Sequence, residues 1–162
     1  MGIYEKRRKE MAHIDEANMN GKIERHANIS DIVGPGQINK LSDVMLIQAL
    51  FSLIGLKDEY RKSILSDVPH LPAINGIFDE KTRLAIWSFQ NASSFALVSV
   101  DGRVHPAHYE NRIIRPGRKM MITVLNELAS WTLTVAVNSS NVINALNVIA
   151  PQLFLLPAIS AA

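Results

Sequence analysis

Two neighbouring stretches constrain this chain most, NGIFDEKTRLAIWSFQ over residues 75–90 and VDGRV over residues 100–104. The first opens on a turn and runs into an amphipathic segment. Asp79 is a suitable N-cap because its short carboxylate can accept an unpaired amide hydrogen of the first helical turn. Thr82, Ala85, Ile86 and Phe89 then fall on one side of the helix, with Trp87 and Gln90 placed differently around it. The second stretch carries Asp101-Gly102, a dipeptide that suits a tight turn. A turn, a capped helix and a second turn therefore form one module.

Further helices are expected on both sides. Gly34-Pro35-Gly36 marks a turn, after which Ser42 is read as an N-cap. Val44, Ile47, Phe51 and Ile54 recur at helical spacing, and Gly55 is expected to end that helix with a positive φ. One short helical turn is read around Glu59–Leu65. Pro106 suits the first position of a short helix capped by His105. Arg115-Pro116-Gly117 breaks the chain again, and Met121, Val124, Leu125 and Leu128 predict another helix. The following TLTVAV is compatible with strand or helix, since its period does not decide.

A length of 162 residues suits one domain, or one small domain with extensions. Seventeen basic against fifteen acidic residues leave a formal charge of +2, too small an excess to predict a nucleic-acid partner. Cysteine is absent, which removes disulfides and thiolate metal sites. Residues 1–26 mix six basic and five acidic side chains and read as a solvated helix or a loose tail. No apolar run follows the basic residues near the N-terminus, so no ordinary secretory signal is read there, and localisation stays open. From Leu128 to Ala162 no residue is charged, so the domain, a partner or lipid should cover this segment. Residues 120–137 and 142–159 are the apolar stretches, but Asn126 and Glu127 interrupt the first and Pro151 the second, and each falls short of the ~20 residues that span a bilayer, which argues against a membrane.

The pattern over residues 42–114 resembles the peptidoglycan-binding domain family. The resemblance lies in Val44–Leu53 around Gln48, in Gly76, Phe78 and Thr82, in Ala85, Phe89 and Gln90, and in Asp101, Gly102 and Val104. The lead-in VGPGQINKLSDVMLIQAL is similar to that of a subset of the family. Pro116-Gly117 and Leu125-Asn126 stand as displaced versions of two later features. His105-Pro106-Ala107-His108 departs from the family's Gly-Pro-x-Thr and alters a polar residue at the rim of its groove. The resemblance implies an all-α fold, a small three-helix bundle with N- and C-terminal extensions. It divides the chain into a charged extension (1–33), a binding domain (34–118) and an uncharged apolar extension (119–162) packed on the domain or a partner. It also implies non-catalytic binding of peptidoglycan or its stem peptide, in the service of a larger assembly. The competing expectation is a structural protein of a phage-like or secretion particle, forming a homo-oligomer or larger protein assembly.

A glycan–peptide ligand would suit a shallow groove of mixed polarity. Amides at the helix start, helped by Thr82, would meet carbonyl or carboxylate oxygens. Gly76 and Gly102 would admit close backbone approach. Arg83 and Arg103 would offer forked donors, and Trp87 or Tyr109 a stacking face. Asp79, Gln90 and Asp101 complete the candidate set. Each has a structural reading beside the functional one: Asp79 and Thr82 as a cap, Gln90 as a loop tie, the glycines as turn formers, and Trp87 as a packing residue. No cofactor is implied. His105 and His108 near Asp101 make only a thin metal arrangement. Glu59 and Glu110 have no spacing that sets them across a groove. Ser93-Ser94 and Ser139-Ser140 lack the strand–turn–helix setting of a nucleophile elbow. The expectation is a binding protein rather than an enzyme.

Overall fold

A computed structural model describes residues 2, 10–19, 21–92, 97, 100–107, 119–136 and 141–154. Their elements are two strands, β1 (His13–Met19) and β2 (Lys22–Asn28), and five helices. The helices are α1 (Leu41–Ile54), α2 (Asp58–Ser63), α3 (Glu80–Asn91), α4 (Met121–Ala136) and α5 (Val142–Ile149).

The hairpin overturns the all-α expectation, and it replaces the helix-or-tail reading over residues 13–19 and 22–26; residues 3–9 of that reading lie outside the described residues. β1 and β2 pair antiparallel in register from His13↔Asn28 to Met19↔Lys22. Gly21, between the two strands, has φ 84°, and the sequence before it supplies Asn20. Asn-Gly suits a two-residue hairpin loop because both central residues need positive φ to match the strand twist. The charge content masked this signal. Along β2 the exposed Arg25 is followed by buried His26 and Ala27, so charged side chains occupy the outward positions of a ribbon anchored on the core.

α1 is the centre of the fold, with residues 42–51 all buried. It packs against α4 and α5 on one side and meets β2. An all-round apolar helix belongs in an interior, and one hydrophobic cluster runs from Ala12 through Phe51 and Phe89 to Leu153. The Phe51 and Phe89 rings meet edge to face, 6.0 Å between centroids. The uncharged segment as far as Leu153 therefore contributes to the same core as the central helices.

Two local expectations change. Ser42 is not the cap of α1: Lys40 holds that position, and Ser42 Oγ accepts the Ala12 amide at 3.0 Å. Gly55 has φ −66°, not a positive value. A Cβ there would come within 2.4 Å of Leu71 Cδ1, so any side chain at this position displaces the end of Leu71. TLTVAV resolves as helix through Ala136, the end of α4. The helix read after Pro106 extends into residues outside those described, as does Arg115-Pro116-Gly117.

Buried primary amides tie these elements together. Asn126 Oδ1 accepts the Ala27 N–H and its Nδ2 donates to the Ala27 carbonyl, both at 2.9 Å. Asn28 treats Ala107 the same way, at 3.0 and 2.7 Å. Asn39, at φ 56°, does so with Gly34, at 2.8 and 3.0 Å. A primary amide offers a carbonyl and an N–H side by side, so one side chain can satisfy both polar groups of a residue that no strand or helix reaches. Asp43, buried in α1, accepts from the Ser30 N–H, the Ser30 hydroxyl and the Asp31 N–H at 2.8–3.0 Å, which fixes the loop after β2.

Candidate ligand-binding surface

The same device builds both turns beside α3. Gln48 Oε1 accepts the Gly76 N–H at 2.8 Å, and its Nε2 donates to the Ile77 carbonyl at 2.9 Å. Gln90 Oε1 accepts the Gly102 N–H at 2.7 Å, and its Nε2 donates to the Arg103 carbonyl at 2.8 Å. Within the turns, Asn75 Oδ1 accepts from Ile77 N at 2.9 Å and Asp101 Oδ1 from Arg103 N at 3.0 Å. Gly76 and Gly102 have φ of 75° and 77°. Asx-Gly-x held by a buried helical glutamine thus occurs twice, once at each end of α3.

At the first turn, Gln48 also donates to Thr82 Oγ1 at 3.0 Å. Thr82 passes its own hydroxyl and amide hydrogens to Asp79 Oδ1 at 2.7 and 2.9 Å. Asp79 is therefore the cap that the sequence suggests. Burial raises its pKa, but the Thr82 hydrogen bonds and Lys81 together hold it below the ordinary value. Thr82 is fully buried. Its hydroxyl serves the fold.

At the second turn, Asp101 Oδ2 pairs with His105 Nε2 at 2.8 Å. Burial again raises the Asp101 pKa, and His105 with the Arg103 amide more than reverses it. Arg103 lies across Gly34, where a Cβ would come within 2.7 Å of Arg103 Cγ. Val33 and Val104 exchange backbone hydrogen bonds at 3.0 and 2.8 Å just beyond this contact. Gln90 is buried, with Met121 Sδ 3.4 Å from its Nε2, so the loop-tie reading of this residue holds.

The candidate residues do not converge on one point. Gly76, Asp79 and Thr82 gather at the start of α3, while Gln90, Asp101, Gly102 and Arg103 gather at its end. Thr82 and Gln90 are eight residues apart along the helix, which is about 12 Å of axial rise. Beside them, Arg83, Trp87 and Asn91 recur every fourth residue and form one stripe along α3. Trp87 is 45% exposed, and its carbonyl accepts from Asn91 Nδ2 at 2.8 Å. Arg83 Nε donates to Glu80 Oε2 at 2.7 Å, and Nη2 donates to Glu80 Oε1. That hydrogen bond holds Glu80 below the ordinary carboxylate value.

Tyr109 and His108 lie outside the described residues. Among the described residues no three metal-ligating side chains cluster, and no helix is long and apolar enough to cross a membrane. Sequence reasoning left Gln48, Asn75 and Gly34 out of the candidate set. The repeat of Asx-Gly-x, each preceded by a helix bearing glutamine, was the available signal for the first two. No protein-family model, curated protein or solved structure matches this chain.

Proposed function

We propose that this chain is a non-catalytic module that binds bacterial cell-wall peptidoglycan and so targets or anchors a larger assembly. The observation that carries this reading is the α3 stripe, with Trp87 exposed between Arg83 and Asn91 and an Asx-Gly turn clamped at each end of the helix. A ligand that uses the whole stripe must be extended, because its two ends are separated by about 12 Å of helix rise. A polymer of sugars and short peptides meets that demand. Its sugar faces suit the Trp87 ring, its amides suit the Asn91 side chain, and its carboxylates would take the Arg83 fork in place of Glu80. The turns contribute by rigidity: each is held by a buried amide, so the stripe costs little entropy to present.

Co-sedimentation with purified peptidoglycan tests the reading. Trp87→Ala and Arg83→Ala should each release the protein from the pellet while its circular dichroism and melting temperature stay unchanged. Wild-type protein left in the supernatant, or variants that pellet like wild type, would overturn it.

An assembly role has its own supporting observation. Ile77 and Ile38 are 62% and 82% exposed, and Leu41, also exposed, lies against Gly76. Exposed apolar side chains favour contact with another protein surface. Light scattering on wild type and on Ile38→Lys/Ile77→Lys decides this reading: a multimer that the substitutions dissolve supports it, and a monomeric wild type removes it.

A further inference from the structure

A second concave site lies away from α3. β2, α4 and the start of α5 enclose a cleft of about 440 Å³, lined by Glu24, Arg25 and His26 from β2 and by Glu127, Ser130 and Trp131 from α4. Asn141 and Val142 close its far end. We propose that this cleft binds a neutral oligosaccharide, with Trp131 as the stacking face.

Three features select that ligand class. First, Trp131 is 57% exposed at the cleft, whereas the neighbouring Leu128, Ala129, Thr132 and Leu133 of α4 are buried. An indole left in water beside a cavity offers an apolar plane to the C–H face of a sugar. Second, the wall mixes both signs. Glu24 and Glu127 stand against Arg25 and against Lys119, which meets Glu127 at 2.9 Å, while His26 Nε2 lies 3.3 Å from Glu24 Oε2. Hydroxyl groups of a neutral ligand can donate to the carboxylates and accept from Arg25 while the Glu127–Lys119 pair stays in place. Third, the cleft is held open by groups committed elsewhere. Asn126 holds the β2 backbone at Ala27, and Asn141 caps α5 by accepting from Asn144 N at 3.0 Å. The volume lies within the usual range for small-ligand pockets, at roughly 300–1,000 Å³.

The chain has two tryptophans, so Trp87→Phe leaves Trp131 as the sole indole and separates this site from the α3 stripe. Titration of that variant with N-acetylchitotriose and with cellotriose should give a saturable change in Trp131 emission with at least one of them. Calorimetry with the same sugar should show affinity reduced about tenfold or more by Glu24→Ala and lost in Trp131→Ala, with melting temperatures near that of wild type. No saturable change with either sugar, or affinity unmoved by both substitutions, overturns the proposal. Pelleting with peptidoglycan that depends on Trp87 but not on Trp131 would leave the α3 reading intact whichever way the titration falls.

Discussion

Asn126 meets Ala27 as a neighbouring strand would, accepting its N–H and donating to its carbonyl at 2.9 Å across 99 positions of sequence. The contact joins α4 to the outer edge of the hairpin. Asn126→Ala would leave both Ala27 groups buried without that partner. At about 1–3 kcal/mol for each unsatisfied buried group, it should destabilise the protein by several kcal/mol. Hydrogen exchange supplies the specific readout: the Ala27 amide should lose protection before the amides of α1 do.

Gln48 and Gln90 perform the same task at different depths. Gln48 is fully buried and serves Asn75, Gly76, Ile77 and Thr82, while the Gly102 turn that Gln90 serves is partly exposed. Gln48→Ala should therefore cost about 3 kcal/mol or more and Gln90→Ala about 1–2 kcal/mol, since Gln48 serves more groups, the buried Gly76 amide among them, while water reaches Gly102. Urea denaturation of the two variants checks the order. Equal losses would contradict it.

Gly76 and Gly102 share a backbone conformation but not their surroundings. A Cβ on Gly76 would lie 2.9 Å from the Leu41 carbonyl oxygen, whereas one on Gly102 would meet nothing within 4 Å. Gly102→Ala should cost only the left-handed conformation, about 1–2 kcal/mol. Gly76→Ala adds a backbone collision and should cost clearly more. The comparison needs only two thermal melts against wild type.

Acid should act on the α3 cap in one direction. The Asp79 pKa is lower in the folded chain than its ordinary 3.8, so its stabilising effect is present above that value and is lost as pH falls through the folded value. The stability gap between wild type and Asp79→Ala, about 1 kcal/mol for a lost cap, should hold steady near neutrality and close below pH 3.8. Asp43 has the opposite sign. Burial raises its pKa against the hydrogen bonds from Ser30 and Asp31, so its contribution is full below 3.8 and declines as pH rises through the folded value. Equilibrium unfolding of wild type, Asp79→Ala and Asp43→Ala across an acid series separates the two.

Local signals carried the helices well. The Asp79 cap, the buried face of Thr82, Ala85, Ile86 and Phe89, and the apolar run from Met121 to Leu128 are all where spacing puts them. Each depends on neighbours within a turn or two, so sequence alone determined them. The hairpin is equally local in origin, but the charges spread along both strands hide the apolar alternation that marks a strand. The amide ties are of another kind. Nothing near Asn28 or Asn126 in sequence distinguishes a clamp from a solvated side chain, because the partner of Asn28 lies 79 positions away and that of Asn126 lies 99 away. Only the folded chain brings a lone backbone N–H and carbonyl to the same amide, and burial then makes the pairing obligatory. Tertiary structure likewise decided that Gln90 faces inward, which leaves Trp87 and its neighbours on α3 as the surface open to a ligand.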